Sequence, residues 1–196
     1  KLKKTYRLLA FTYRSLGLQF LKSNEFFNKS KSIILEENTE NEELANINLH
    51  LGINSFWRGL KGIGRWGNAN PELLNGVKKD LFDQAEEYFK ESYAYFYKFK
   101  GKSHPDTLQS IHYLQENFYA LGRYEKAIPW LKKYVEVIPF IDKKYTNNYY
   151  FYSLIVSLEE YAKELAIKDK ELSKKYIREA LHYAEKYHNE KDHEIT

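Results

Sequence analysis

The chain has 196 residues, 43% hydrophobic and 17% aromatic, enough to bury a core as one domain or as stacked repeats. Its 31 basic and 27 acidic residues are interspersed and leave a net charge of +4, which describes a solvated surface and not a nucleic-acid stripe. The absence of cysteine excludes disulfides, thiolate metal sites and a cysteine nucleophile.

With 4 prolines and apolar residues recurring at helical spacing, the expected class is all-α. Leu9, Tyr13 and Leu16 mark a first helix that ends at Gly17. FFNKSKSIILEE (26–37) then carries Phe27, Ser30 and Ile34 in an aromatic–small–large order, completing a hairpin at about 1–38. A second hairpin, about 40–100, opens with a helix from Glu42 to Trp57 and closes with one from Lys78 to Lys98. In the closing helix, LFDQAEEYFKES (81–92) places Phe82, Ala85 and Phe89 in that same order. The order has a physical reason. Where two helices cross closely one contact residue must be small, and a large residue one turn on fills the groove beside the crossing.

Between those two helices lies FWRGLKGIGRWGNANPELLNG (56–76), with five of the nine glycines and two of the three tryptophans. An inserted loop over 58–77 is longer than compact domains usually tolerate without a role. Its apolar side chains call for burial, so the loop is expected to fold back against the helices, with Trp57, Arg58, Lys61, Arg65 and Trp66 available to a partner. The bland alternative is an insertion that packs on itself and binds nothing. No GK[ST] follows the glycines, so they do not form a phosphate loop.

The linker GKSHPDTLQS (101–110) offers Pro105 as a stop for the preceding helix and Asp106 or Thr107 as a cap for the next. A third hairpin, about 105–140, begins with the stripe Ile111, Leu114, Phe118 and Leu121, turns at Leu121-Gly122-Arg123, and continues as RYEKAIPWLKKY (123–134). There Tyr124, Ala127 and Leu131 repeat the order of Phe82, Ala85 and Phe89, and the two alanines stand 42 residues apart. A fourth hairpin, about 145–190, pairs a helix around 146–167 with one carrying Ser173, Ile177 and Ala180. The wide charged face of that last helix suits a terminal cap.

IHYLQENFYALGRYEKAIPWLKKYVEVIP (111–139) resembles a tetratricopeptide repeat, the two-helix unit of the TPR superfamily. Ile111, Leu114, Gln115, Phe118, Ala127, Leu131, Tyr134 and Pro139 occupy the pattern places, with Gln115 and Tyr134 standing where small residues are usual. The 42-residue period and the HPDTL element are similar to the longer repeats of kinesin light chains and their bacterial relatives. The resemblance implies a right-handed superhelical stack of about four helix-turn-helix hairpins in a single domain, with first helices lining a concave groove.

In the third repeat the residues opposite the core stripe are Gln109, His112, Glu116 and Tyr119, a polar and aromatic row suited to an extended peptide. The fourth repeat offers Asn147, Asn148, Tyr150 and Tyr152, and the second offers Asn46 and His50. The alternative for each is an ordinary solvated helix face.

Nothing in the sequence implies an enzyme or a cofactor. No GxSxG, HExxH or P-loop spacing occurs, and His104 and His182 lack an evident nucleophile or acid partner. His188 and His193 stand five residues apart, which does not place two imidazoles on one helix face to hold a metal. The uncharged run Tyr145 to Leu158 is too short to span a bilayer. With no methionine, even at position 1, the chain reads as an excised domain or a processed product. A soluble protein is expected, the cytoplasm being slightly favoured. Oligomeric state is not legible.

Three functional readings follow. The first is an interaction module or scaffold that binds a peptide or helical segment of a protein partner. The second is a sensory or regulatory domain of a larger signalling protein, binding a small peptide signal. The third, disfavoured by the weak net charge, is nucleic-acid binding through the aromatic and basic residues of the inserted loop.

Overall fold

The computed structural model describes residues 1–16, 19–37, 42–61, 76–137 and 149–192, excepting the side chains of residues 76, 77, 149 and 187–192. The described residues form eight helices: α1 (Leu2–Ser15), α2 (Phe20–Glu36), α3 (Glu42–Leu60), α4 (Gly76–Lys100), α5 (Pro105–Ala120), α6 (Tyr124–Val135), α7 (Tyr149–Leu165) and α8 (Lys170–Asp192). They fall into two compact units, Lys1–Leu121 and Gly122–Thr196. The third predicted hairpin therefore gives α5 to the first unit and α6 to the second.

In the first unit each helix packs on the next from α1 to α5, and α3 also touches α5. The small–large rule accounts for the crossings. Phe82, Ala85 and Phe89 of α4 are fully buried, as are Phe27, Ser30 and Ile34 of α2. The Ser30 hydroxyl bonds the Lys3 carbonyl of α1 at 3.0 Å, which a larger residue would prevent. The α3–α4 crossing needs a second small residue. A Cβ on Gly52 would stand 2.6 Å from the Phe89 ring, so the absence of one lets the ring lie against the α3 backbone. Gly59 meets Phe82 in the same way at 3.0 Å. Sequence reading assigns Gly59 to the loop; in the structure it is helical, because α3 continues one turn past Trp57.

Buried asparagines join successive hairpins. The Asn54 amide donates to Ser23 Oγ at 2.9 Å and Asn24 Oδ1 at 2.7 Å, tying α3 to α2. The Asn117 amide donates to the Phe82 carbonyl at 3.0 Å, tying α5 to α4. Each amide finds an acceptor, which offsets the cost of burying it.

The HPDTL element works differently from the expectation. Gly101, at φ 85°, ends α4, and Pro105 is the first residue of α5 and not a stop for α4. The cap is neither Asp106 nor Thr107: His104 Nδ1 accepts the Asp106 N–H at 3.2 Å. Thr107 bonds back to the Gly101 carbonyl at 2.9 Å instead, and Asp106 takes Lys100 at 2.6 Å. Lys100 also reaches Glu42, so one ammonium links the starts of α3 and α5 to the end of α4.

Three stripes shift. On α1 it is Ala10 that is buried, while Leu9 and Leu16 lie on the exposed side. On α5, Ile111, Leu114 and Phe118 are buried as expected, and Leu121 is the half-buried residue that caps the helix. On α8, Ser173 and Ala180 are buried but Ile177 is 46% exposed. Tyr176 takes the large position there, packing edge-on against Tyr161 of α7.

In the second unit α7 packs on both α6 and α8. Ala127 and Leu131 are fully buried in α6, and Leu154 and Leu158 in α7. Tyr134, where the repeat pattern has a small residue, is buried by stacking on Tyr150. Ser173 bonds the Ala162 carbonyl at 2.8 Å across the α7–α8 crossing. Gly122, at φ 64°, supplies the left-handed residue that the predicted turn requires.

Candidate functional site

The first helices of the first unit, α1, α3 and α5, are joined by contacts among their side chains. Arg7 of α1 bonds Glu43 of α3 at 3.3 Å, and Arg14 Nη1 donates to His50 Nδ1 of α3 at 2.8 Å. The His50 ring lies against Phe11 and parallel to Phe27, at centroid distances of 4.6 and 5.6 Å. From α5, Tyr113 stacks on Phe89 at 5.4 Å and meets the edge of Phe56 at 6.4 Å. A cleft of about 450 Å³ opens beside this cluster, lined by Arg7, Phe11, Glu42, Glu43 and Asn46.

Burial sets the protonation of the cluster. It pushes the His50 pKa down to about 3, helped by the charges of Arg14 and Arg7 and opposed by Asp106. A neutral imidazole is the form that accepts a hydrogen bond from Arg14, so geometry and titration agree. Burial also lowers the pKa of Arg14 and raises that of Tyr113, and each of these groups feels the charge of the other. His112 is likewise held below the usual histidine range by burial, with Glu116 opposing.

Stability should follow His50 with pH. The folded pKa lies below the unfolded value of 6.5, so the unfolded chain binds more protons between the two. The contribution is complete above about pH 6.5 and is lost as pH falls toward 3, with a slope approaching about 1.4 kcal/mol per pH unit. Buried His112 adds a background of the same sign to both proteins, so in urea denaturation at pH 7, 6 and 5 the stability of the wild type relative to His50→Phe should fall with that slope.

The predicted row divides. Gln109 is exposed on α5, whereas His112, Glu116 and Tyr119 are half-buried. Glu116 is no bare solvated carboxylate, since it accepts the amide of fully buried Gln115 at 2.6 Å. Asn46 lines the cleft, and its amide bonds the Glu42 carbonyl one turn back. Tyr152, 64% exposed, belongs to α7 of the second unit, and Asn148 lies outside the described residues. Of the inserted-loop candidates, Trp57 and Arg58 are half-buried residues of α3, with Trp57 edge-on to Phe56, and Lys61 is an exposed turn residue. Arg65 and Trp66 lie outside the described residues, as does most of the loop expected to fold back.

Arg7, Arg14 and Tyr113 are absent from the sequence-based candidates. A signal for Tyr113 exists: it precedes Leu114 as His50 precedes Leu51, at one place of the first-helix pattern in two hairpins. No helix among the described residues is long and apolar enough to cross a membrane.

No protein family and no curated protein matches the chain. Among solved structures, BtubC (BKLC) from P. vanneervenii is similar with a TM-score of 0.65 at 15% identity, over 97% of this chain and 64% of that one. The kinesin light chain nearly identical TPR-like repeats of Podosopora anserina are similar with a TM-score of 0.53 at 16% identity, over 94% of this chain and 72% of that one. The chain thus spans less than two thirds of the first of these proteins. Paired helices crossing at small residues, and likeness to these structures along almost the whole chain, identify a TPR-like helical-repeat fold.

Proposed function

We propose that the chain is a protein-interaction module whose face formed by α1, α3 and α5 binds an extended peptide segment of a partner. The observation that carries this reading is the row of polar and aromatic side chains on three helices braced from behind by α2 and α4. Such a face is ordered before the ligand arrives, so docking forfeits little conformational entropy. A peptide backbone alternates donors and acceptors, so it is matched by side chains that carry one of each. The Asn46 side chain offers the same pair of groups at the cleft. The TPR-like fold of similar structures supports the class of function by analogy alone.

Selection from a displayed random-peptide library on the purified protein tests the proposal. Selected peptides should bind Gln109→Lys at least about fivefold more weakly, while stability stays within about 0.5 kcal/mol because Gln109 is exposed. Peptides unaffected by this substitution and by Asn46→Ala would place binding elsewhere and refute the reading.

A further inference from the structure

We propose that the outer face of α1 docks on an anionic lipid bilayer, with the helix lying in the plane of the headgroups. This goes beyond the peptide-binding reading and does not depend on it. The peptide face uses the side of α1 that Arg7 and Arg14 turn toward α3; the lipid face is the other side.

Leu2, Leu9 and Leu16 recur every seven residues with Thr5 and Thr12 between them, so they form one line along α1 and its cap. Leu8 lies beside that line. All four leucines are exposed, by 36% to 60%. The packing of α1 is met without them: Ala10 is fully buried, Phe11 packs on the core, and Tyr6 and Tyr13 stack on Phe26 of α2 at 6.1 and 5.3 Å. Scattered exposed leucines need no explanation, but a continuous row marks an interaction surface.

Charge indicates what covers the row. The helix α1 contains no acidic residue, and residues 1–37 hold eight basic against three acidic residues, an excess larger than the +4 of the whole chain. Lys3 and Arg7 are paired with Glu37 and Glu43, whereas Lys4 is exposed at one edge of the leucine line. Tyr6 and Tyr13 flank the other edge. Beyond them α2 sets the exposed Lys22 5.3 Å from the Tyr13 ring and Lys29 5.9 Å from the Tyr6 ring. Glu25 balances Lys29 at 2.5 Å, while Lys4 and Lys22 pair with no carboxylate among the described residues. Leucine in the middle, tyrosine beside it and lysine at both edges is the cross-section of a helix seated in a bilayer surface. The leucines enter the acyl boundary, the phenols sit at headgroup depth, and the lysine stems reach up to the phosphates. A convex ridge on one helix offers a folded partner no pocket, whereas a bilayer closes around it.

The test uses the intact chain. Vesicles of equimolar phosphatidylcholine and phosphatidylglycerol should sediment the protein at least about tenfold more tightly than vesicles of phosphatidylcholine alone. Leu2→Gln with Leu16→Gln should weaken that capture at least about tenfold, and Lys4→Gln with Lys22→Gln about fivefold. Urea midpoints should stay unchanged, since all four side chains are exposed. The chain has no cysteine, so Thr12→Cys takes a single environment-sensitive dye on the outer face, and its emission should move to the blue on anionic vesicles. An unmoved dye, capture that ignores the leucines, or equal affinity for the two vesicles would overturn the proposal. Binding of single-stranded RNA that needs Lys4 and Lys22, with no capture by vesicles, would assign the face to a nucleic acid and overturn it as well.

Discussion

Phe89→Ala is expected to destabilise the first unit by about 3–5 kcal/mol, the range for emptying a fully buried aromatic site. Phe89 has no exposed surface, touches the α3 backbone at Gly52 and stacks on Tyr113, so one truncation opens a cavity bordered by three helices. The same geometry fixes a second, stricter outcome. Gly52→Ala in the wild type drives a methyl to within 2.6 Å of the ring, and overpacking of about 1–3 kcal/mol outweighs the gain in helix propensity of up to about 1 kcal/mol. In the Phe89→Ala background the obstacle is gone, and Gly52→Ala should stabilise. Urea denaturation of the four proteins reads this reversal of sign; additive effects would show that the two residues do not meet.

Leu131→Ala should cost the second unit about 2–5 kcal/mol. Leu131 is fully buried one turn beyond Ala127, which is buried as well. Its neighbour Lys133 is exposed, so Lys133→Ala provides the contrast and should stay within about 0.5 kcal/mol. Equal midpoints for the two variants would mean that the α6 register is wrong.

The sequence made the hairpins legible because their crossings impose a strict local rule. Ser30, Ala85, Ala127 and Ser173 are all buried, each beside a large residue at helical spacing. What failed were positions decided by more distant packing. Leu9 and Ile177 fit an apolar period but face outward at the two ends of the chain, where Ala10 and Tyr176 make the contact. The cap at His104 was missed because an imidazole accepting a backbone N–H competes with the commoner Asp and Thr caps nearby.

The site was legible only in part, for a similar reason. Periodicity in α5 points to Gln109, His112, Glu116 and Tyr119, since one helix suffices to separate core from face. The Arg7–Glu43 pair and the Arg14–His50 bond become visible only when α1 is laid against α3. No spacing along the chain contains that information. Gly52 is the structural counterpart: it looks like an ordinary helix-weakening residue until Phe89 arrives from the next helix.

The central claim is that the partner lies on the first helices. Hydrogen exchange of the protein with and without a library-selected peptide measures this directly. Protection gained in α1, α3 and α5, with α2 and α4 unchanged, is the predicted result. Protection confined to α2 and α4, or to the second unit, would contradict the account.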